Sequence, residues 1–366
     1  MKNSMGTNLT VTLFGESHGS AIGAVLDGLA PGIPVDKNFI AAQLALRQPI
    51  DRLGTARHEA DLFHILSGVY RGRTTGTPLC IVIPNEDARS GDYAGLEHLP
   101  RPGHADYTAQ CKYHGYQDPR GGGHFSGRLT APLVAAGAVA LWALQRQGIS
   151  IGTHILRCGG ISDRPFGDLR EDITALGLRR FAALDNEAGA AMEQRILDAA
   201  DHGDSVGGVL ETAVIGLPAG VGEPWFDTVE GLLSHALFSI PAVKGVQFGD
   251  GFDMADATGS VFNDEFAVEN GRIITLTNHN GGINGGITNG MPVLFRCMVK
   301  PTPSIGLPQQ TVDLQTMTET ELTFSGRHDP AILPRARVVV DSVAALVLAD
   351  LLMGRFGSDY LGGDDR

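Results

Sequence analysis

The stretch RPGHADYTAQCKYHGYQDPRGGGHFSGR, residues 101–128, runs directly into LTAPLVAAGAVALWAL, residues 129–144. The second segment decides where the core lies, because it is apolar on every side and reads as a helix buried at the centre of the protein. The first decides what stands at the start of that helix. It carries Arg101, His104, Asp106, Lys112, His114, Arg120, His124, Ser126 and Arg128 around a triple glycine, Gly121-Gly122-Gly123. Consecutive glycines can take positive φ and let a ligand approach the backbone closely. A helix that begins just beyond them turns free N–H groups and the positive end of its dipole toward that ligand. Histidines move protons near neutral pH, and arginines grip phosphate or carboxylate through a forked set of donors. The combination points to an anion-binding catalytic site, with a glycine-rich turn bearing solvated side chains as the plain alternative.

Composition narrows the partners. The 366 residues carry a formal net charge of −13, which argues against a nucleic-acid-binding or anionic-membrane surface. Its cations are 23 arginines and only 5 lysines, a balance suited to a small anionic substrate held in a pocket, or to an arginine-rich genome. Glycine, at 49 residues, is about 13% of the chain against a usual share of roughly 7%, and no Gly-X-Y period accompanies it. Cys80, Cys111, Cys158 and Cys297 are widely spaced without a CxxC pair, so neither a metal site nor a disulfide scaffold is expected. The N-terminus lacks the apolar core of a signal peptide, and the long apolar runs are shorter than the roughly 20 residues that span a bilayer. The expectation is a soluble, cytoplasmic protein.

Outward from the central segment, strands are expected at 9–14, 24–29, 63–70, 79–83, 151–156, 207–217, 244–248, 272–277 and 292–299. Helices are expected from the Asp36 cap to Leu46, over 186–201, over 228–238, and over 338–352, the last apolar nearly all round. Residues 164–180 are polar and poorly patterned, and read as surface. Strands in hairpin-like pairs between long helices, without βαβ alternation, predict an α+β fold. No linker or charge run divides the chain. It reads as a single domain over 1–366, with an ordered core over about 9–352 and a flexible tail over 357–366.

Several other clusters carry chemistry. Gly15-Glu16-Ser17-His18-Gly19 sits at a strand end with room beside the imidazole, and it is not a GxSxG nucleophile elbow. The segment 278–286, NHNGGINGG, has two Gly-Gly pairs among amides but not the GxGxxG order of a dinucleotide fold. Lys300-Pro301-Thr302-Pro303-Ser304 is a proline-stiffened run of a cation and hydroxyls. Arg327-His328-Asp329-Pro330 offers a cation, an imidazole and a carboxylate ahead of the last helix. From these residues alone, the reading is an enzyme acting on a small phosphorylated anion.

Taken together, GESHGSAIGAVLDGLAPG (15–32), RPGHADY (101–107), GGG with SGRLTA (121–131), SIPAVKGVQFGDGF (239–252), NHNGGINGGI (278–287), KPTPSI (300–305) and GRHDP (326–330) resemble the chorismate synthase family, in its order and spacing. The resemblance implies a β-α-β sandwich with antiparallel sheets around central helices, assembled as a homotetramer. It implies a lyase that converts 5-enolpyruvylshikimate 3-phosphate to chorismate and phosphate by 1,4-anti-elimination, with reduced FMN required and NADPH as a candidate reductant. By resemblance His18 protonates the departing phosphate, His104 holds the reduced flavin in its working protonation state, and Asp329 assists at flavin N5. Arg47 and Arg52 match positions that bind substrate phosphate or NADPH, and Arg101 and Arg128 join them as anion ligands. Flavin contacts carry over to His124, Phe125, Ser126, Pro241, Ala242, Gly285, Lys300, Pro301, Thr302, Pro303, Ser304 and Arg327. Many members have Arg-Ser-Ser where this chain has His124-Phe125-Ser126, a common Asn at Pro241 and a common Glu at Asp341. The alternatives are another flavin-dependent lyase or reductase acting on a phosphorylated ring acid, and a non-enzymatic FMN- or phosphate-binding protein.

Overall fold

Two helices that lack a polar face organise the computed structural model, which describes residues 2–54, 60–86, 97–324 and 329–362. Thr130–Arg146 and Leu333–Phe356 are buried along most of their length and pack against each other. A helix with no face to offer water must be covered on all sides, and here each is covered by a sheet. Thr130–Arg146 lies on an antiparallel sheet ordered Ser4–Met5, Thr10–Gly15, Ala21–Asp27, Leu79–Pro84, His64–Ser67. Leu333–Phe356 lies on a second, ordered Val243–Phe248, Val293–Val299, Gly208–Ile215, Ser150–Cys158, Ile161–Ser162. The result is an α+β sandwich, sheet–helices–sheet, with one continuous cluster of buried apolar side chains running through all layers.

The helix pair comes together at Gly137. A Cβ placed there would lie 2.3 Å from Ser342 Cβ and 2.6 Å from its Cα, so only glycine allows this crossing. Next to it, Asp341 is fully packed inside and accepts a hydrogen bond from Thr153 Oγ1 at 2.6 Å. With the turn before it, the central helical segment Gly127–Arg146 reaches 20 residues, longer than the sequence suggested and long enough to cross a bilayer. Most of it is buried within the protein, as a core helix must be.

Several elements differ from the sequence reading. Residues 164–180 hold a helix, Leu169–Leu176, capped by Asp168, whose side chain accepts from Glu171 N. It buries little beyond Leu176 and Asp172, too few positions to leave a helical period. The hairpin Gln309–Asp313/Thr318–Leu322 was hidden by its polar composition, and Asp106–Tyr113 by the lack of an apolar stripe. The last helix begins five residues earlier than its apolar pattern, at Leu333, with Pro334 in its first turn where a missing N–H costs nothing. Beyond it, Ser358–Leu361 forms a 3-10 turn with Leu361 buried.

Two stability outcomes follow. Gly137→Ala would gain roughly 1 kcal/mol of helix propensity but force the backbone around Ser342 apart, an overpacking cost of about 1–3 kcal/mol; a net loss is expected, read as a lower denaturation midpoint. Burial, outweighing Arg337 and the Thr153 hydrogen bond, raises the Asp341 carboxyl from 3.8 to about 6. The folded protein therefore favours the neutral acid, a preference fully present below about pH 4 and lost as pH rises through about 6. Asp341→Asn should leave stability unchanged near pH 4 and raise it by roughly 2–3 kcal/mol near pH 8, measured by denaturant unfolding at both.

Candidate active site

The hairpin register from Thr10↔Asp27 to Gly15↔Ile22 makes residues 16–20 the turn between the two strands, and His18 rides on it. Asn85 Nδ2 ties the turn down by donating to the carbonyls of Glu16 (3.0 Å) and Gly19 (2.9 Å). Ser17 N donates to Gly123 O at 3.1 Å, which joins this turn to the glycine run. Gly121, Gly122 and Gly123 have φ of 61°, 83° and 52°, three left-handed residues in succession. A Cβ on Gly121 would lie 2.1 Å from His18 Cε1, and one on Gly122 would lie 3.3 Å from His104 Cε1. The two histidines therefore flank the same bare backbone. The helix proper starts only at Thr130, after two 3-10 turns, and Ser126 Oγ accepts from Arg128 N to begin the second of these.

His104 is held from behind. Its Nδ1 lies 2.6 Å from Asp106 Oδ1. Arg101 grips the same carboxylate through Nε (2.8 Å) and Nη2 (2.9 Å), and its backbone N adds a bond of 3.0 Å. Arg101 Nη1 continues to Ser304 Oγ at 3.2 Å. Burial alone would raise the Asp106 carboxyl, but the hydrogen bonds from His104 and Arg101 prevail and hold it well below the usual carboxylate range. It is an anion at neutral pH.

A second cationic group stands on Asp61, which is buried. Arg47 Nη1 donates to Asp61 Oδ2 at 3.1 Å, while Arg128 Nη1 donates to Oδ1. Arg47 also donates from Nε to Thr130 Oγ1 (2.9 Å), and Arg128 from Nε to Asn85 Oδ1 (3.0 Å). Burial, then repulsion by Arg335, lowers the Arg47 guanidinium to about 9, so it stays charged at neutral pH. Asp329 Oδ2 accepts from Arg335 Nη1 at 2.7 Å, and Arg335 Nε reaches Arg47 O at 3.0 Å. Lys300 Nζ donates to Gly103 O, and Lys300 N to Ala242 O at 2.9 Å. Ala242 itself has φ of 74°, strain that a non-glycine residue carries at the edge of the site.

These groups converge on one cavity of about 900 Å³. Of the residues expected from sequence, Arg47, Arg101, His104, His124, Phe125, Ser126, Arg128, Pro241, Ala242, Lys300, Thr302, Pro303, Ser304 and Asp329 line it. Pro301 spaces Lys300 from Thr302 within the same strap. His18 stands one layer back, behind Gly121, which does line the wall. Arg52 lies outside, its side chain 74% exposed and paired with Asp201 at 2.8 Å. Gly285 also lies outside, in the hairpin Ile283–Asn284/Ile287–Thr288. Arg327 and His328 fall beyond the described residues. Asp61 and Arg335 were missed, and Asp106 was named only as one charge of the 101–128 run. Asp106, two residues past His104, had a local signal, whereas Asp61 had none. Among the described lining residues seven are cationic (Lys2, Arg47, Arg101, Arg128, Lys244, Lys300, Arg335) and two are carboxylates, in a chain of net charge −13. Such a cavity concentrates anions.

Residues 9–353 match the family model described as chorismate synthase. The chain belongs to the chorismate synthase family. Chorismate synthase of Pyrococcus abyssi is 47% identical over 350 residues, covering 96% of this chain and 97% of that one. The Aeropyrum pernix protein of that name is 45% identical over 355 residues, covering 97% and 93%. A crystal structure of a chorismate synthase superposes with a TM-score of 0.76 at 28% identity, covering 96% of this chain and 94% of the other. The chain is accordingly a carbon–oxygen lyase, and its reaction is the family's elimination of phosphate from 5-enolpyruvylshikimate 3-phosphate to give chorismate. Gly121→Ala, which drives a methyl group into the His18 ring, should leave the protein folded by thermal melt yet lower turnover ~10-fold or more, since small misplacements in an active site are costly. Unchanged turnover would remove the His18–Gly121 contact from catalysis.

Proposed function

We propose that this cavity holds reduced FMN against the phosphorylated substrate. Support for the flavin comes from the lining: Phe125, Ile240 and Phe324 supply apolar surface for a flat ring system, and the strap 300–304 supplies polar groups. Within that strap Thr302 Oγ1 is buried with no hydrogen-bond partner among the described residues, a position that a bound ligand would satisfy. Reduced flavin, when bound, supplies electron density to the allylic phosphate and accepts the hydrogen at its N5 region.

The observation that carries the reading is the excess of cations in a cavity that also presents His104. The substrate carries a phosphate and two carboxylates, and Arg47, Arg128 and Arg335 are held by Asp61 and Asp329 with donors already oriented, so little reorganisation is needed on binding. His104 presents its free ring edge beside Gly122, placed to control a proton at the flavin. His18 serves as acid to the departing phosphate across the Gly121 backbone, which without a side chain lets the phosphate come near. Asp329, oriented by Arg335, assists at N5, and Arg327, two residues before it in sequence, is assigned to the flavin by the family resemblance alone.

We further place the protein in the cytoplasm as one folding unit per chain, assembled as a homotetramer. All four cysteines are free thiols, in keeping with a reducing compartment. Trp225, Phe226, Phe252, Phe266, Val268 and Ile273 are exposed apolar side chains of the kind that subunit contacts cover. NADPH is the proposed reductant, with Arg47 as its candidate ligand in the wall.

An anaerobic assay with dithionite-reduced FMN and 5-enolpyruvylshikimate 3-phosphate is expected to yield chorismate absorbance and phosphate in equal amounts, and failure of both would remove the reading. Replacing dithionite by NADPH tests the reductant by bleaching of the flavin absorbance. His104→Ala and His18→Ala should each lower turnover by ~10²–10⁴-fold if each moves a proton in the reaction. An effect confined to His104→Ala would assign the acid elsewhere than His18, the residue set back from the wall.

A further inference from the structure

We propose that Asp106 is the positioning residue for His104: its carboxylate accepts a hydrogen bond from Nδ1–H, fixes the ring, and leaves Nε2 as the nitrogen that faces the cavity. Asp106 opens the helix Asp106–Tyr113 and does not line the large cavity. It therefore acts through another group. Every bond to its carboxylate comes from the His104 side: Arg101 N and Nε on Oδ2, and Arg101 Nη2 with His104 Nδ1 on Oδ1. Arg101 Nη2 also lies 3.0 Å from His104 Nδ1. Two donors cannot bond each other, so both point at the oxygen they share, and Nδ1 carries the proton. The two ring nitrogens of an imidazole face opposite ways, and a Cβ on Gly122 would lie 3.4 Å from Nε2. Nε2 is thus on the glycine side, where His104 lines the cavity.

An ionised carboxylate behind a histidine does two things: it selects the tautomer and stabilises the imidazolium. The other charged and titratable groups around His104 are Arg101 on its own segment, Lys300, bonded to Gly103 O, and His18 beyond the glycine run. All of these are or can become cations. Asp106 is the one anion in contact with it among the described residues, so the orientation and tautomer of the ring depend on this single carboxylate. Arg101 adds a second consequence. The same fork that holds Asp106 sends Nη1 to Ser304, which couples the histidine to the 300–304 strap.

The proposal rests on the reaction assigned above, yet its first test is independent of it. In the folded wild-type protein, ¹⁵N NMR of the His104 ring should show the Nδ1–H tautomer at high pH. An Nε2–H tautomer would overturn the proposal whether or not the protein turns over substrate. Asp106→Asn replaces the carboxylate that accepts from Nδ1–H with an amide, so the ¹⁵N spectrum should lose the single Nδ1–H tautomer. Turnover should fall by roughly 10²-fold, the low end of a proton-transfer contribution, with KM for substrate within about twofold. Asp106→Glu should recover part of both. The double variant His104→Ala/Asp106→Asn should be no slower than His104→Ala alone, because a positioning residue has nothing left to position. Multiplying losses in the double variant, or an unchanged Nδ1–H tautomer in Asp106→Asn, would reduce Asp106 to a structural helix-start residue. No turnover by the wild type, with the Nδ1–H tautomer present, would instead count against the assigned reaction.

Discussion

The site depends on a stretch of backbone that must carry no side chains. Gly121, Gly122 and Gly123 are all left-handed; a Cβ on the first would collide with His18, and one on the second would press on His104. The constraint is conformational at all three and steric as well at Gly121 and Gly123, where a Cβ would lie 2.1 Å from His18 Cε1 and from Asp118 O respectively. Because Ser17 N bonds to Gly123 O, the same backbone also clamps the hairpin turn that carries His18. One loop thereby brings the first strand pair and the Arg101–Asp106 segment to opposite sides of a shared wall.

The arginines around that wall are each fixed by an anion. Arg47 and Arg128 share Asp61, Arg335 holds Asp329, and Arg101 holds Asp106. Burying an unpaired guanidinium is costly, and a single well-bonded carboxylate between two of them reduces the cost while leaving a net positive field. The arrangement orients donors before any ligand arrives, which is the condition under which electrostatic stabilisation is most effective. It also reconciles a strongly acidic chain with a cavity built for anions, since the charge lies where the fold gathers it and not in the average composition.

The core supports this by being rigid where the site needs a base. The two apolar helices meet at Gly137 and Ser342 with no space to spare. The first of them is entered through the Ser126–Arg128 turn, so the packing of the helix pair also sets where Arg128 points. The elements that were hard to read, Leu169–Leu176 and the hairpin Gln309–Asp313/Thr318–Leu322, lie on polar surfaces with few buried positions. Burial is what writes a period into a sequence, and these segments bury little.

Residue order alone determined the α+β class, the buried central helix, the last helix and most strands, because each is written in a local apolar pattern. It also singled out His18, His104, His124, Arg101 and Arg128 through their clustering with glycine, while Arg47 entered through the family resemblance. Tertiary structure alone decided that Asp61, distant in sequence from Arg128, stands between it and Arg47, that Arg335 orients Asp329, and that Arg52 and Gly285 lie outside the cavity of this chain. It also set His18 one layer behind Gly121. Charge pairing and shared walls join residues far apart in the chain, and such distances leave no periodic trace for a linear reading to find.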